Sequence, residues 1–213
     1  MSAILVIGAS RGIGLETVKR ALGGGHSVRA LARSAAAITI EHARLDKLSG
    51  SALDAADVTR ALAGIDAVIE ALGVTSGPEM LLGTTLFSKA TRVLVDAMTA
   101  NGPRRLVAVT GLGAGDSRGH GGLIYDKLLF PLILKRVYDD KDVQEMIILR
   151  SALDWTIARP GRLTHAPATG AYRVLDDPKD WRAGSISRAD VADFLVREIE
   201  TGAHRGRTPL LIG

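Results

Sequence analysis

Short apolar runs alternate along the chain with stretches in which apolar residues return every three or four positions. Ile4-Leu5-Val6-Ile7 is the first run, and a helical pattern through Leu15, Val18, Ala21 and Leu22 follows it. Continuous runs fit strands buried on both faces, and 3.6-residue spacing fits amphipathic helices. Gly23-Gly24-Gly25 closes the first helix, Ser27–Ala32 reads as a second strand, and residues 34–37 read as a turn. A third strand is expected within Ile38–Leu48, where the pattern is too weak to place its ends. Asp54–Ala63 predicts a helix with Asp54 as its N-cap and Gly64 as its stop. Asp66–Gly73 predicts a fourth strand running out into a glycine. Thr84–Ala100 predicts a long helix with the stripe Leu86, Val93, Leu94, Ala97 and Met98, ended by Asn101-Gly102-Pro103. Arg105–Thr110 predicts the fifth strand.

The stretch Gly111–Gly122 carries six glycines in twelve residues. That composition argues against a packed element and predicts a mobile surface loop. Helical patterning resumes near Leu123 and again over Tyr138–Arg150. Leu153–Ala158 predicts a sixth strand ending at Arg159-Pro160-Gly161, and Tyr172–Leu175 a short one. Ser187-x-x-Asp190 resembles a capping box and opens a helix through Ile199. Leu210–Ile212 predicts the last strand. Strands alternating with helices predict an α/β protein built on a doubly wound parallel sheet, in three layers, with residues 1–213 as one domain.

The turn after the first strand carries the first chemistry. Gly8-Ala9-Ser10-Arg11-Gly12-Ile13-Gly14 passes straight from strand to helix. The helix's first N–H groups have no intrahelical acceptor, and its dipole puts partial positive charge there, so the turn is an anion site. Gly8 permits the turn, Gly12 leaves room where a pyrophosphate meets the backbone, and Gly14 lets helix and strand pack closely. Ser10, Arg11 and Ile13 complete the expected contact surface of a dinucleotide.

Composition narrows the rest. The chain has 213 residues, 46% hydrophobic and 23% charged, the balance of a soluble globular protein with a sizeable core. There is no cysteine, which excludes disulfides, thiolate nucleophiles and Cys-ligated metals. The five histidines show no metal-ligand spacing, so no metal site is expected. Met1 and Ser2 lead directly into the first strand, leaving no segment that reads as a signal peptide. The apolar stretch Leu128–Leu134 is too short for a bilayer and contains Pro131. A cytoplasmic protein with no membrane partner is the expectation. A net charge of +4 with scattered Lys and Arg gives no clustered footprint for nucleic acid.

Gly8–Gly14, Asp66–Ile69, Ser151–Gly161 and Ile186–Ala192 together resemble the atypical short-chain dehydrogenase/reductases with an NAD(P)H-binding domain. The chain is similar in particular to the flavin reductase/biliverdin-IXβ reductase group, notably at Ala168–Tyr172. The resemblance implies a Rossmann fold and a nicotinamide cofactor over essentially the whole chain. Two positions depart from that group: Thr110-Gly111 stands where it has a serine after the threonine, and Arg162 where it has a histidine. Short-chain dehydrogenases use a Tyr-x-x-x-Lys pair, in which the phenol exchanges a proton and the lysine lowers its pKa and binds ribose. By that resemblance the lysine is Lys141; Val137 stands four residues before it and Tyr138 three. Both spacings keep side chains on neighbouring helix faces, so Tyr138 and Lys141 are the candidate catalytic pair. The alternative is that Tyr138 packs and Lys141 contacts ribose alone.

The second strand decides the cofactor. NAD sites place Asp or Glu at its end, whereas this chain reads Leu31-Ala32-Arg33-Ser34. Arg33, with Arg11 converging and Ser34 beside it, suits the 2′-phosphate of NADP(H). Ser51-Ala52 and Leu72-Gly73 look like the adenine-side walls. Thr110, Lys141 and Pro160 should lie near the nicotinamide, at the carboxyl ends of the strands. Asp139-Asp140 and Asp176-Asp177 read as caps or solvated turns, and Leu123–Leu134 as core, a substrate mouth or a dimer face. The expected activity is NADP(H)-dependent hydride transfer to a small organic acceptor of flavin, quinone or carbonyl type, by a monomer or homodimer. A non-catalytic NADP(H) sensor resembling the NmrA-like regulators is the alternative. A sugar-nucleotide epimerase relative would carry a much longer C-terminal part.

Overall fold

The computed structural model describes residues 1–74, 83–122 and 134–213. The expectations for Leu123–Leu134 fall outside these residues, save for Leu134 itself. In chain order the elements are β1 (Ala3–Ile7), α1 (Gly12–Gly23), β2 (Ser27–Ala32), β3 (Leu45–Ser49), α2 (Ala55–Leu62) and β4 (Ala67–Glu70). They continue as α3 (Leu86–Asn101), β5 (Arg105–Val109), α4 (Lys135–Leu149), β6 (Asp154–Pro160), β7 (Arg162–Thr164), β8 (Arg173–Leu175), β9 (Ser185–Ser187), α5 (Arg188–Thr201) and β10 (Leu210–Ile212). Among the described residues the main sheet runs β3-β2-β1-β4-β5-β6-β10-β8. It is parallel except for β8, which lies antiparallel to β10. β7 and β9 form a separate parallel pair. This is the doubly wound Rossmann-type order, in which direction reverses between β1 and β4 and leaves a crevice at their carboxyl ends.

Alternation along the strands divides the core between the two faces. Ile4, Val6, Val28, Val107 and Val109 pack with Val18 and Leu22 of α1 and Val191, Phe194 and Leu195 of α5. Leu5, Ile7, Leu31, Val68 and Leu106 pack with Val58 of α2, Leu94 and Met98 of α3, and Ile147 and Ile148 of α4. The β1–β4 register, Ile4 beside Ala67 and Ile7 beside Glu70, puts the glycine turn next to the end of β4.

Two expectations change. The buried stripe of α3 is Phe87, Ala90, Thr91, Leu94, Val95 and Met98, so Leu86, Val93 and Ala97 lie at its flanks. The glycine-rich loop is packed through its first half: Leu112, Ala114 and Ser117 are buried. Ser117 Oγ accepts from Gly113 N at 2.9 Å and donates to the Ala114 carbonyl at 2.6 Å, and residues 115–117 form a 3-10 turn. These internal bonds satisfy the backbone that composition alone leaves unpaired. No helix among the described residues is long and apolar enough to cross a membrane.

Candidate functional site

The turn after β1 is built from glycines, two of which, Gly8 and Gly14, no other residue replaces without a clash. Gly8 has φ +84°, and a Cβ there would lie 2.6 Å from the Ala71 carbonyl oxygen. A Cβ on Gly14 would lie 2.2 Å from the Gly8 carbonyl oxygen. The helix therefore starts hard against the end of the strand, and its first N–H groups open outward. At Gly12 the space is free: the nearest heavy atom to an added Cβ is Arg188 Nε, at 4.0 Å. The cradle fits a phosphate-bearing nucleotide, since it offers backbone donors, an open approach and nearby cations. Ser10 and Ile13 are half-buried around it, and Arg11 is exposed.

Arg33 and Ser34 stand exposed just past β2, with no carboxylate at the strand's end. Neither Arg11 nor Arg33 has a side-chain hydrogen bond or ion pair among the described residues, so both charges remain available. Ser51 and Ala52 follow β3. Ser51 N donates to Asp57 Oδ2 at 2.8 Å, and Ala52 rests against the core. Leu72 also leans on that core, while Gly73 is exposed with open space at its Cβ position. These residues line the carboxyl edge of β1–β4, Arg33, Ser34, Ser51 and Ala52 on the β2–β3 side of the crevice and Leu72 and Gly73 on the β4 side.

Thr110, Tyr138, Lys141 and Pro160 gather beyond the crevice, at the ends of β5 and β6. Lys141 is buried on α4, donates from Nζ to the Thr110 carbonyl at 3.1 Å, and lies 4.1 Å over the Phe87 ring. Burial holds its ammonium down to about 8, against the attraction of Glu145, Glu70 and Asp140. The Tyr138 hydroxyl sits 2.7 Å from where a Cβ on Gly111 would stand. A side chain at this position would push the end of the phenol aside, so the glycine that departs from the reductase pattern lets the tyrosine hydroxyl rest against the backbone. Tyr138 and Lys141 thus bracket the same two residues, Thr110 and Gly111. The Pro160 carbonyl accepts from Leu112 N at 2.9 Å and ties β6 to this loop.

Behind these groups lies a polar interior that the sequence reading misses. Thr110 Oγ1 donates to Glu145 Oε1 at 2.7 Å. Arg159, 2% exposed, donates to both Glu145 oxygens at 2.9 and 2.6 Å, and to Asp116 at 2.6 Å. Glu70, the last residue of β4, accepts from Thr91 Oγ1 at 2.8 Å and from Gln144 Nε2 at 3.2 Å. Burial pushes the Glu70 carboxyl up to about 7, opposed by the bonds from Thr91 and Gln144 and by the Lys141 charge. Asp140 acts as a cap in trans: its Oδ2 accepts from Phe87 N and Ser88 N, the free donors of α3. A carboxylate ending an apolar strand was the one sequence signal for Glu70. Nothing local marks Glu145 or Arg159. A cleft of about 620 Å³ lies outside the Glu145–Arg159 pair, lined in part by Asp142, Met146, Leu149, Trp155 and Arg207. None of the expected site residues faces it.

A family model described as NAD(P)H-binding matches residues 8–201. The chain belongs to this NAD(P)H-binding family. It is 31% identical over 188 residues to a Bacillus subtilis (strain 168) protein described as an uncharacterized sugar epimerase, YhfK, covering 82% of this chain and 77% of that one. Among solved structures it is similar to ChuY, an anaerobilin reductase from Escherichia coli O157:H7, with TM-score 0.80 and 28% identity over 99% of this chain and 97% of that one. It shares its fold with a Veillonella parvula short-chain dehydrogenase/reductase solved in complex with NADP, with TM-score 0.84 and 15% identity over 100% and 94% of the two chains. The NAD(P)H-binding kinship expected from Gly8–Gly14 therefore holds for the family as a whole.

Proposed function

We propose that the protein is an NADP(H)-dependent oxidoreductase that moves a hydride between the nicotinamide and a small organic acceptor of flavin, quinone or carbonyl type. The observation that carries this reading is the meeting of Tyr138 and Lys141 on Thr110–Gly111, beside the crevice that opens at the glycine turn. NADP(H), when bound, supplies or takes up the hydride. The chain's own residues handle the proton and the position. The Tyr138 hydroxyl holds a proton for the acceptor's heteroatom. Lys141, desolvated above Phe87, keeps a positive charge on the Thr110 carbonyl, one residue from Gly111 where the phenol rests. Thr110 fixes the lysine through its carbonyl and is itself fixed by Glu145. Arg33 and Arg11 offer the 2′-phosphate two uncommitted cations, and the missing carboxylate after β2 removes the NAD-type partner. ChuY's reductase activity supports the reaction class, not the acceptor.

The test is turnover. The protein should oxidise NADPH in the presence of at least one acceptor from a panel of flavins, quinones, aldehydes and bilins. Tight NADPH binding without turnover above background would overturn the enzymatic reading and leave a nucleotide sensor.

A further inference from the structure

We propose that Arg188 is a pyrophosphate-binding residue that reaches the glycine turn from the far end of the chain. It is the first residue of α5, 176 positions after Gly12 in the sequence, and its Nε is the atom nearest to the open space at Gly12. The guanidinium is held there from one side. One N–H donates to the Thr164 carbonyl, at the end of β7, at 2.9 Å. Of its five donors this is the one used among the described residues, and the side chain makes no ion pair there. Asp190, the nearest carboxylate in sequence, does not neutralise it. The Asp190 oxygens accept from Ser187 Oγ, Thr169 N, Thr169 Oγ1 and Gly170 N. A half-buried, pre-positioned and unpaired guanidinium beside the free N–H groups of a helix start is a strong site for a phosphate.

The position also defines which phosphate. Arg188 faces Gly12, where a dinucleotide's pyrophosphate approaches the backbone, whereas Arg33 stands past β2 on the adenosine side. NADH and NADPH share the pyrophosphate and differ at the 2′ position. Arg188 therefore contributes equally to both cofactors, and Arg33 to one. Through Thr164 the same contact couples cofactor binding to the β7–β9 pair.

The inference rests on the cofactor reading above, and the experiment separates the two. Dissociation constants of NADPH and NADH are measured by fluorescence for wild type, Arg188→Gln and Arg188→Lys, with melting temperatures of the free proteins by circular dichroism. Arg188→Gln should weaken both cofactors by a common factor of about 10–100. Arg188→Lys, which keeps the charge, should recover most of that loss, with all three melting temperatures alike. Unchanged affinity in Arg188→Gln overturns the proposal, as does a loss confined to NADPH. Equal losses in both variants also overturn it, because the arginine would then act through Thr164 alone. Wild-type protein that binds neither dinucleotide overturns the cofactor reading itself, and the proposal with it.

Discussion

The carboxyl edge of the sheet is made in two different ways on its two sides. At the end of β1 the work is done by seven consecutive residues, Gly8–Gly14, whose value lies in absent side chains and free backbone N–H groups. The core behind them is apolar: Ile4, Val6, Val18 and Leu22 pack there. At the ends of β5 and β6 the interior holds Lys141, Glu145, Arg159, Glu70, Gln144 and Thr110, all buried. Those six come from β4, the end of β5, α4 and β6. Backbone donors can cradle an anion wherever a strand turns into a helix. A proton-handling group is tuned by a shifted affinity, which burial, neighbouring charges and hydrogen bonds provide, and these gather only once the elements pack together. On the function proposed above, the first side recognises a cofactor class and the second sets a chemistry.

The sharpest way to break this division is Tyr138→Phe. General acid catalysis contributes about 10²–10⁴-fold, so kcat should fall by that range while NADPH affinity, set on the other side, stays near wild type. Steady-state kinetics with the best acceptor of the panel, alongside cofactor titration, reads both quantities. If kcat stays within about threefold, the phenol is packing and the β5–β6 side has another role.

The same division explains what could be read from the sequence. Ser27–Ala32 is the second strand as expected, and β5, β6 and β10 fall within a residue or two of their expected bounds, because each is a local apolar run. β3 gives no such signal: Leu45-Asp46-Lys47-Leu48-Ser49 is half-exposed and, among the described residues, pairs with β2 alone at the sheet's edge. The stripe of α3 is displaced because this helix packs beside both α2 and α4, so its apolar residues spread beyond one narrow face. The glycine turn was legible since its function is written in consecutive residues. Glu145 and Arg159 were not, because the ion pair exists only once α4 lies against β6. Six glycines after β5 suggested mobility for the same reason: composition holds no record of the buried carbonyls and hydroxyls that pin residues 112–117.

A second prediction probes the cost of the polar side. Glu70 titrates at about 7 in the fold, against an ordinary 4.5, because burial disfavours its charge. Between those values the folded protein keeps a proton that the unfolded chain has released. Stability contributed by this group therefore falls as pH rises from about 4.5 through about 7. The shift corresponds to at most about 3 kcal/mol. Glu70→Gln, which cannot ionise and can still accept from Thr91, should flatten that part of the profile. Urea unfolding of both proteins at about pH 5 and about pH 8 measures the difference. A variant whose stability falls as steeply as wild type's would mean that Glu70 is ionised throughout, sheltered by Lys141.

The smallest effect expected belongs to the cofactor side, and it is the most selective. A charge-assisted hydrogen bond contributes about 1.5–3 kcal/mol, which is about 10- to 100-fold in affinity. Arg33 is exposed at the end of β2 and makes no ion pair among the described residues, so removing it leaves no buried partner stranded. Arg33→Ala should therefore weaken NADPH by that factor without unfolding the protein, while NADH, which lacks the 2′-phosphate, keeps its affinity. Salt acts in the same sense: the exposed arginine is screened over a Debye length of about 8–10 Å near physiological ionic strength, so rising salt should erode the NADPH preference of wild type more than that of the variant. Fluorescence titration of both cofactors against both proteins at two salt concentrations measures all four changes. A wild-type preference for NADH, or an equal loss of both cofactors in the variant, would remove Arg33 as the 2′-phosphate anchor. Recognition on this side would then rest on the glycine turn and on Arg188 beside it, which serve both cofactors alike.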